Sequence, residues 1–132
     1  MLHSSANEYA RHLRDVAMKI VDGKRLGSVT VFEDTLMLAE VVGDVILNNG
    51  HLELKGKVLG NLFVRNGTCR MLGIIRGNLE NEKGDVEVFG TVHGKVVTKS
   101  GYTYVNPGSK VGSIEHAAPA MKEETREEAL ST

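Results

Sequence analysis

Through the middle of the chain, apolar and polar residues alternate with the period of two that belongs to β-strands. Leu52, Leu54, Val58, Leu62 and Val64 give way to Cys69, Met71, Ile75 and Leu79, and these to Val86, Val88, Val92 and Val96. Counterparts in successive sets lie 17 residues apart. A helix would need spacings of three and four. Upstream, Val29 and Val31, then Leu36 and Leu38, then Val41, Val45 and Leu47 continue the alternation with one slip of register. The pattern predicts short strands joined by tight corners, with each repeat stacked on the one before.

Composition sharpens this. Fifteen of the 132 residues are glycine, against two prolines, no tryptophan and six aromatic residues in all. Gly50, Gly67, Gly84 and Gly101 form one row of 17-residue steps, Gly43, Gly60, Gly77 and Gly94 a second, and Gly56, Gly73 and Gly90 a third. Gly108 and Gly112 extend two of these rows if one residue is inserted near Asn106-Pro107, which leaves Gly23 and Gly27 as a junction outside the pattern. Three rows per repeat imply three corners per turn, where glycine supplies positive φ or close backbone approach. The expected fold is therefore all-β: a three-sided β-helix of about five 17-residue turns over residues 27–115.

Stacking also predicts which side chains meet. Glu53, Arg70 and Glu87 fall in one outward column, and Arg65, Glu82 and Lys99 in another, both alternating in sign as neighbouring strands prefer. Asn61 and Asn78, followed by Lys95, predict a polar ladder.

The flanks differ in kind. Tyr9, Leu13, Val16, Ala17, Ile20 and Val21 share one face at helical spacing, so an amphipathic helix and linker are expected over residues 1–26. Leu13, Val16 and Ile20 are its candidate contacts for capping the first turn of the coil. Residues 116–132 contain Pro119 and Glu123, Glu124, Glu127 and Glu128 with few large apolar side chains, which predicts an acidic, disordered tail.

The runs Leu52-x-Leu54-x-Gly56-x-Val58-x-Gly60-x-Leu62 and Val86-x-Val88-x-Gly90-x-Val92-x-Gly94-x-Val96, with the late Asn-Pro-Gly-Ser-Lys-Val-Gly stretch, resemble the bactofilin family of polymer-forming bacterial cytoskeletal proteins. The resemblance covers 27–115. It implies a right-handed three-sided β-helix flanked by mostly disordered tails, assembling end to end into nucleotide-independent, non-polar filaments; protein clients are expected to be recruited by the tails. The family's N-terminal tail is usually flexible, so a structured helix here would be a departure.

Charge and candidate chemistry narrow the alternatives. Sixteen Lys+Arg against seventeen Asp+Glu give a net charge of -1, which makes no case for nucleic acid. The start Met1-Leu2-His3-Ser4-Ser5 does not read as a signal peptide, and one cysteine cannot form an internal disulfide, so a cytoplasmic location is expected. The five Lys+Arg and three Asp+Glu up to Arg25 are too weak a bias to favour a membrane surface, leaving the inner face of the cell membrane as the lesser expectation. His3, His12, His51, His93 and His116 form no cluster at metal-ligand spacing. Cys69 shares an inward column with Leu52 and Val86, the setting of an inert buried thiol. The glycines fit neither a phosphate loop nor a dinucleotide fingerprint, so no cofactor is expected. A left-handed β-helix of the hexapeptide acyltransferase type would repeat its apolar positions every six, whereas 52, 54, 58, 62 and 64 are spaced two, four, four and two. The expectation is accordingly not an enzyme.

The expected function is self-assembly through open coil ends, whose strand edges and apolar core another copy can continue. Val29, Val31 and Leu36 are the expected contributors at one end, and Thr103, Val105, Val111 and Ile114 at the other. Leu72, Ile74 and Phe89 form an expected outward apolar patch for lateral or partner contact, with Phe63 and Val97 a looser second one. A capped coil that serves as an adaptor without polymerising is the alternative.

Overall fold

A computed structural model describes residues 18–116, and in it the 17-residue period closes into a β-solenoid of six turns. The first turn holds β1 (Lys19–Val21), β2 (Lys24–Leu26) and β3 (Val29–Val31). The second holds β4 (Thr35–Met37), β5 (Glu40–Val42) and β6 (Val45–Leu47), and the third β7 (His51–Leu54), β8 (Lys57–Val58) and β9 (Leu62–Val64). The fourth comprises β10 (Thr68–Met71), β11 (Ile74–Ile75) and β12 (Leu79–Asn81). In the fifth, β13 (Asp85–Val88) is followed by β14 (Thr91–Thr98), and in the sixth β15 (Tyr102–Val105) by β16 (Lys110–His116).

Every inter-turn pairing is parallel. One face is a six-stranded sheet, β1-β4-β7-β10-β13-β15. The other two faces join into one sheet because β14 and β16 each run round the corner between them. From the second turn to the fifth the register is uniform, with Leu52 beside Cys69 and Cys69 beside Val86. The core of Val, Leu, Ile and Met side chains therefore forms apolar columns, interrupted by the buried Thr35, Asn81 and Thr98, and Leu52, Leu54, Val58, Leu62, Ile75 and Leu79 are fully buried. Burying each such side chain contributes about 1.5–3 kcal/mol.

Four sequence expectations are corrected. The coil begins at Lys19 rather than at residue 27 and has six turns rather than five. Residues 19–21, expected at the end of a helix, form β1, where Ile20 pairs with Leu36 and Val21 with Met37. The rest of that expected helix, with its capping candidates Leu13 and Val16, lies outside the described residues, as does the tail from 117. Gly23 and Gly27 are not a junction: the first turn is one residue short, pairing Lys19 with Thr35 and Val29 with Val45, and this brings Gly27 beneath Gly43. Finally, Leu36 and Leu38 do not face the core. Thr35, Met37 and Ala39 do, because Thr35 stacks beneath Leu52 and Met37 beneath Leu54. A shift of one residue inverts a strand's faces. The Thr35 hydroxyl is accommodated inside by donating to the carbonyl of Glu33 at 2.7 Å.

The row Gly60, Gly77 and Gly94 makes one corner. Each N–H donates to the carbonyl of the row member one turn earlier, at 2.9 Å, an approach that leaves no room for a Cβ. The residue after each glycine makes the expected polar ladder, and the ladder is longer than Asn61, Asn78 and Lys95. The Ser28 hydroxyl accepts the N–H of Asp44 at 3.3 Å, and Asp44 Oδ1 accepts that of Asn61 at 2.8 Å. Asn61 Oδ1 accepts the N–H of Asn78 at 2.7 Å, and Asn78 Oδ1 that of Lys95 at 2.8 Å. These bonds satisfy corner amides that the strand ladders do not reach. Lys95 has no acceptor to pass on, and beside it the register slips: Val92 pairs with Val111, but Lys95 pairs with Ser113.

Candidate assembly surfaces

A solenoid presents two kinds of surface, its ends and its sides. Register identifies which residues at each end stand in inward columns. At the N-terminal edge these are Lys19, Val21, Arg25, Val29 and Val31, since they pair with Thr35, Met37, Val41, Val45 and Leu47, all of which are buried. Two of the five are cations. Lys19 Nζ lies 3.9 Å from Glu33 Oε2, and Arg25 Nε donates to the carbonyl of Asp22 at 3.3 Å. Leu26, at 82% exposure, lies on the outer side of β2, in register with Val42. Inward-pointing charge at an edge is one of the ways proteins keep strands from pairing further. Of the three residues expected at this end, Val29 and Val31 are there; Leu36 belongs to the second turn and faces outward, half-buried.

The C-terminal edge is different. Its inward columns end in Thr103, Val105, Val111, Ile114 and His116. Among the described residues, Val105 and Val111 pack against the core from one side only, and Ile114 is 49% exposed. All four residues expected at this end are therefore in place.

A polar cluster that sequence reasoning missed lies just beneath this edge. Asn81 is fully buried at an inward position, one turn beyond Val64 and one before Thr98. Its Oδ1 accepts the N–H of Gly84 at 2.8 Å, while Nδ2 reaches the carbonyls of Gly84 at 3.0 Å and Tyr102 at 2.8 Å and Oγ1 of Thr103 at 2.9 Å. Thr98 Oγ1 completes it, 2.7 Å from Thr103 Oγ1. A polar residue falling on the 17-residue column of Leu47 and Val64 was the available signal. With its polar groups paired, the cluster ties three successive turns together at one corner.

On the sides, Arg70 Nε pairs with Glu87 Oε1 at 3.3 Å as the alternating column predicts, whereas Lys99 Nζ reaches across to Glu80 Oε1 at 3.4 Å instead of to Glu82. These pairs are exposed and contribute little to stability. Leu72 and Ile74 are 37% and 38% exposed; Phe89 is half-buried, its ring 6.2 Å from that of Tyr104 and covered by the Arg70 guanidinium at 5.3 Å. Phe63 and Val97 are half-buried on another face, both in register with Glu80. No helix among the described residues is long and apolar enough to cross a membrane.

Chemical groups are sparse on these surfaces. A groove of about 460 Å³ on the first face is lined by His51, Thr68, Arg70, Asp85, Glu87 and Tyr102, and within it His51 Nδ1 lies 2.6 Å from Thr68 Oγ1. Three or more potential metal ligands converge nowhere among the described residues. Cys69 is buried at its expected inward position, and desolvation pushes its thiol from 9.0 up to about 12. In the folded chain the thiol thus keeps its proton across a range where the unfolded chain loses it. Its contribution to stability is complete below pH 9.0 and falls by about 1.4 kcal/mol per pH unit from there toward pH 12. Cys69→Ala should flatten the alkaline decline in urea midpoints above pH 9.0, and an identical decline in both proteins would contradict it. Set against protein-family models, curated proteins and solved structures, the chain matches none of them.

Proposed function

We propose that the chain is a self-assembling scaffold of the bactofilin type, a right-handed three-sided β-helix that stacks end to end into nucleotide-independent filaments. The observation that carries this reading is the C-terminal edge. There β15 and β16 pair on one side only among the described residues, and Val105, Val111 and Ile114 bring apolar core columns to the surface. An edge of this kind is a template for a further strand layer, and within the chain the same parallel register already joins six layers. The resemblance of the Leu52–Leu62 and Val86–Val96 runs to that family supplies the filament and the cytoplasmic setting.

The adaptor reading, a coil that does not polymerise, draws on Lys19 and Arg25, whose charges at inward positions of the first turn protect that edge. Sedimentation velocity with negative-stain microscopy separates the two. Filaments or concentration-dependent oligomers are expected, and a single monomeric species over a wide range of concentration and salt would overturn the scaffold reading.

A further inference from the structure

Among the asparagines of the chain, Asn49 and Asn66 alone are followed by glycine, and the 17-residue step sets them one turn apart in the same column. Asn-Gly is the dipeptide in which a backbone nitrogen most readily reaches the side-chain amide before it, because glycine puts no Cβ in the way. Ring closure between the two needs three further conditions. The glycine N–H must be unengaged, the asparagine amide must be unengaged, and solvent must reach both.

The corner before β7 and β10 supplies all three at both positions. The carbonyls of Gly50 and Gly67 accept the N–H groups of Thr68 at 3.0 Å and Asp85 at 2.9 Å, whereas the N–H groups of Gly50 and Gly67 themselves donate to nothing among the described residues. Unpaired backbone N–H groups of this kind are uncommon. One turn later the same row is closed, since the Gly84 N–H donates to Asn81 Oδ1 at 2.8 Å. Asn49 and Asn66 are exposed, and their side-chain amides enter no hydrogen bond among the described residues. Their own N–H groups are held only at 3.4 Å, to the carbonyls of Val31 and Leu47. The other described asparagines each lack a condition. Oδ1 of Asn61, Asn78, Asn81 and Asn106 already accepts an N–H, and Asn48 precedes an N–H that points at Val31.

We infer that Asn49 and Asn66 are sites of self-modification, at which the chain converts its own backbone to isoaspartate. The glycine nitrogen, having lost its proton to hydroxide from solvent, bonds to Cγ of the preceding asparagine. The Cγ–Nδ2 bond breaks and ammonia leaves, giving a five-membered succinimide. Water then opens the ring. Rupture of the bond between the glycine nitrogen and Cγ leaves aspartate with an ordinary backbone. Rupture of the bond between that nitrogen and the α-carbonyl carbon leaves isoaspartate, whose backbone runs through Cβ and Cγ and is longer by one methylene. The coil has no slack for the extra length. Around Asn66 the Arg65 N–H is held to the carbonyl of Leu47 at 2.8 Å and the Thr68 N–H to that of Gly50 at 3.0 Å. Around Asn49 the Asn48 N–H is held to the carbonyl of Val31 at 2.9 Å and the His51 N–H to Asp34 Oδ1 at 2.9 Å. Conversion therefore strains or breaks bonds between turns, and the third and fourth turns loosen as the molecule ages. The inference is independent of how the chain assembles.

Ageing the full-length chain tests this. The folded protein is kept in warm, mildly alkaline buffer for weeks, and samples are digested and their peptides weighed and sequenced by electron-transfer fragmentation. Peptides holding Asn49 and Asn66 should gain about 1 Da, with isoaspartate in excess of aspartate. Their rates should lie within about tenfold of those in the urea-unfolded chain and at least about tenfold above those of Asn61 and Asn78 in the folded chain. The aged parent should melt about 4 °C or more below fresh protein. The glycines are left in place for the comparison, because their φ values are 93° and 92° and a Cβ on either would meet backbone one turn below. Instead both asparagines are replaced, Asn49→Gln with Asn66→Gln, whose longer side chains cyclise far more slowly; this variant should fold as the parent does and keep its melting temperature on ageing. Asparagines 49 and 66 that stay intact in the folded chain while the unfolded chain converts would overturn the inference, as would conversion of Asn61 and Asn78 at the same rate. A double variant that loses melting temperature as fast as the parent would overturn the loosening assigned to these two sites.

Discussion

Replacing Gly73 by alanine is expected to destabilise the coil by about 3 kcal/mol or more, well beyond what helix or strand propensity would account for. Gly73 is buried at a corner, and a Cβ built on it would run into the carbonyl oxygen of Gly56 one turn below. That oxygen cannot step aside cheaply, because it accepts the N–H of Ile74 at 3.1 Å. The carbonyl carbons of Lys55 and Gly56 follow at 2.9 and 3.0 Å, so the obstacle is backbone throughout. Relief requires the two turns to part, which lengthens the bonds of Gly73 to Leu54 and of Ile74 to Gly56. Gly108→Ala is the matched control: it lies at the loop before β16, where a Cβ meets only the side-chain oxygen of Asn106 at 3.2 Å, and it should cost less than about 1 kcal/mol. Urea melts followed by far-ultraviolet circular dichroism give both values, and equal midpoints for the two variants would refute the close-approach account.

The same row explains how far the fold was legible. Where successive turns share the 17-residue step, one spacing fixes the glycine corners, the inward columns and the polar ladder together, and residues from Leu52 to Val96 lie where the spacing puts them. At the start the step is 16 residues, and the inward positions hold Lys19 and Arg25. Without apolar alternation, Ile20 and Val21 read instead as the end of a helical stripe. In the second turn Leu36 and Leu38 are both apolar and both turned outward, while the buried position between Glu33 and Leu36 is filled by Thr35, whose hydroxyl is satisfied locally. A binary pattern cannot distinguish these faces; the column through Leu52 and Leu54 can. At the C-terminal edge the positions of Thr103 and Val105 were legible because the 17-residue columns of Val86 and Val88 run straight into them, while Val111 and Ile114 lie beyond the register slip opposite Val92 and Val96. The Asn81 cluster was hidden because a polar side chain inside the coil is stable only through partners in turns the sequence does not place beside it, chiefly Thr103 and the carbonyl of Tyr102.

Val105→Lys should abolish assembly while leaving a β-rich, cooperatively melting chain. Among the described residues, Val105 ends the inward column of Val21, Met37, Leu54, Met71 and Val88, with Val21 at its other end. Because it is half-buried and no further layer covers it among the described residues, a lysine there can extend its ammonium group into solvent in the monomer. Fold stability should therefore fall by no more than about 1–2 kcal/mol. In an assembled junction that route is closed: the ammonium would lie between two core columns, where an unpaired buried charge costs several kcal/mol. At an end-to-end junction that cost takes an association of micromolar strength beyond measurable concentrations. The same change at the middle of the column, Val88→Lys, should instead unfold the chain, since Val88 is enclosed between Met71 and Val105. The contrast between the two substitutions separates an end of the solenoid from its interior. Filaments that persist in Val105→Lys would remove the C-terminal edge from the interface and turn attention to the outward-facing Leu72 and Ile74.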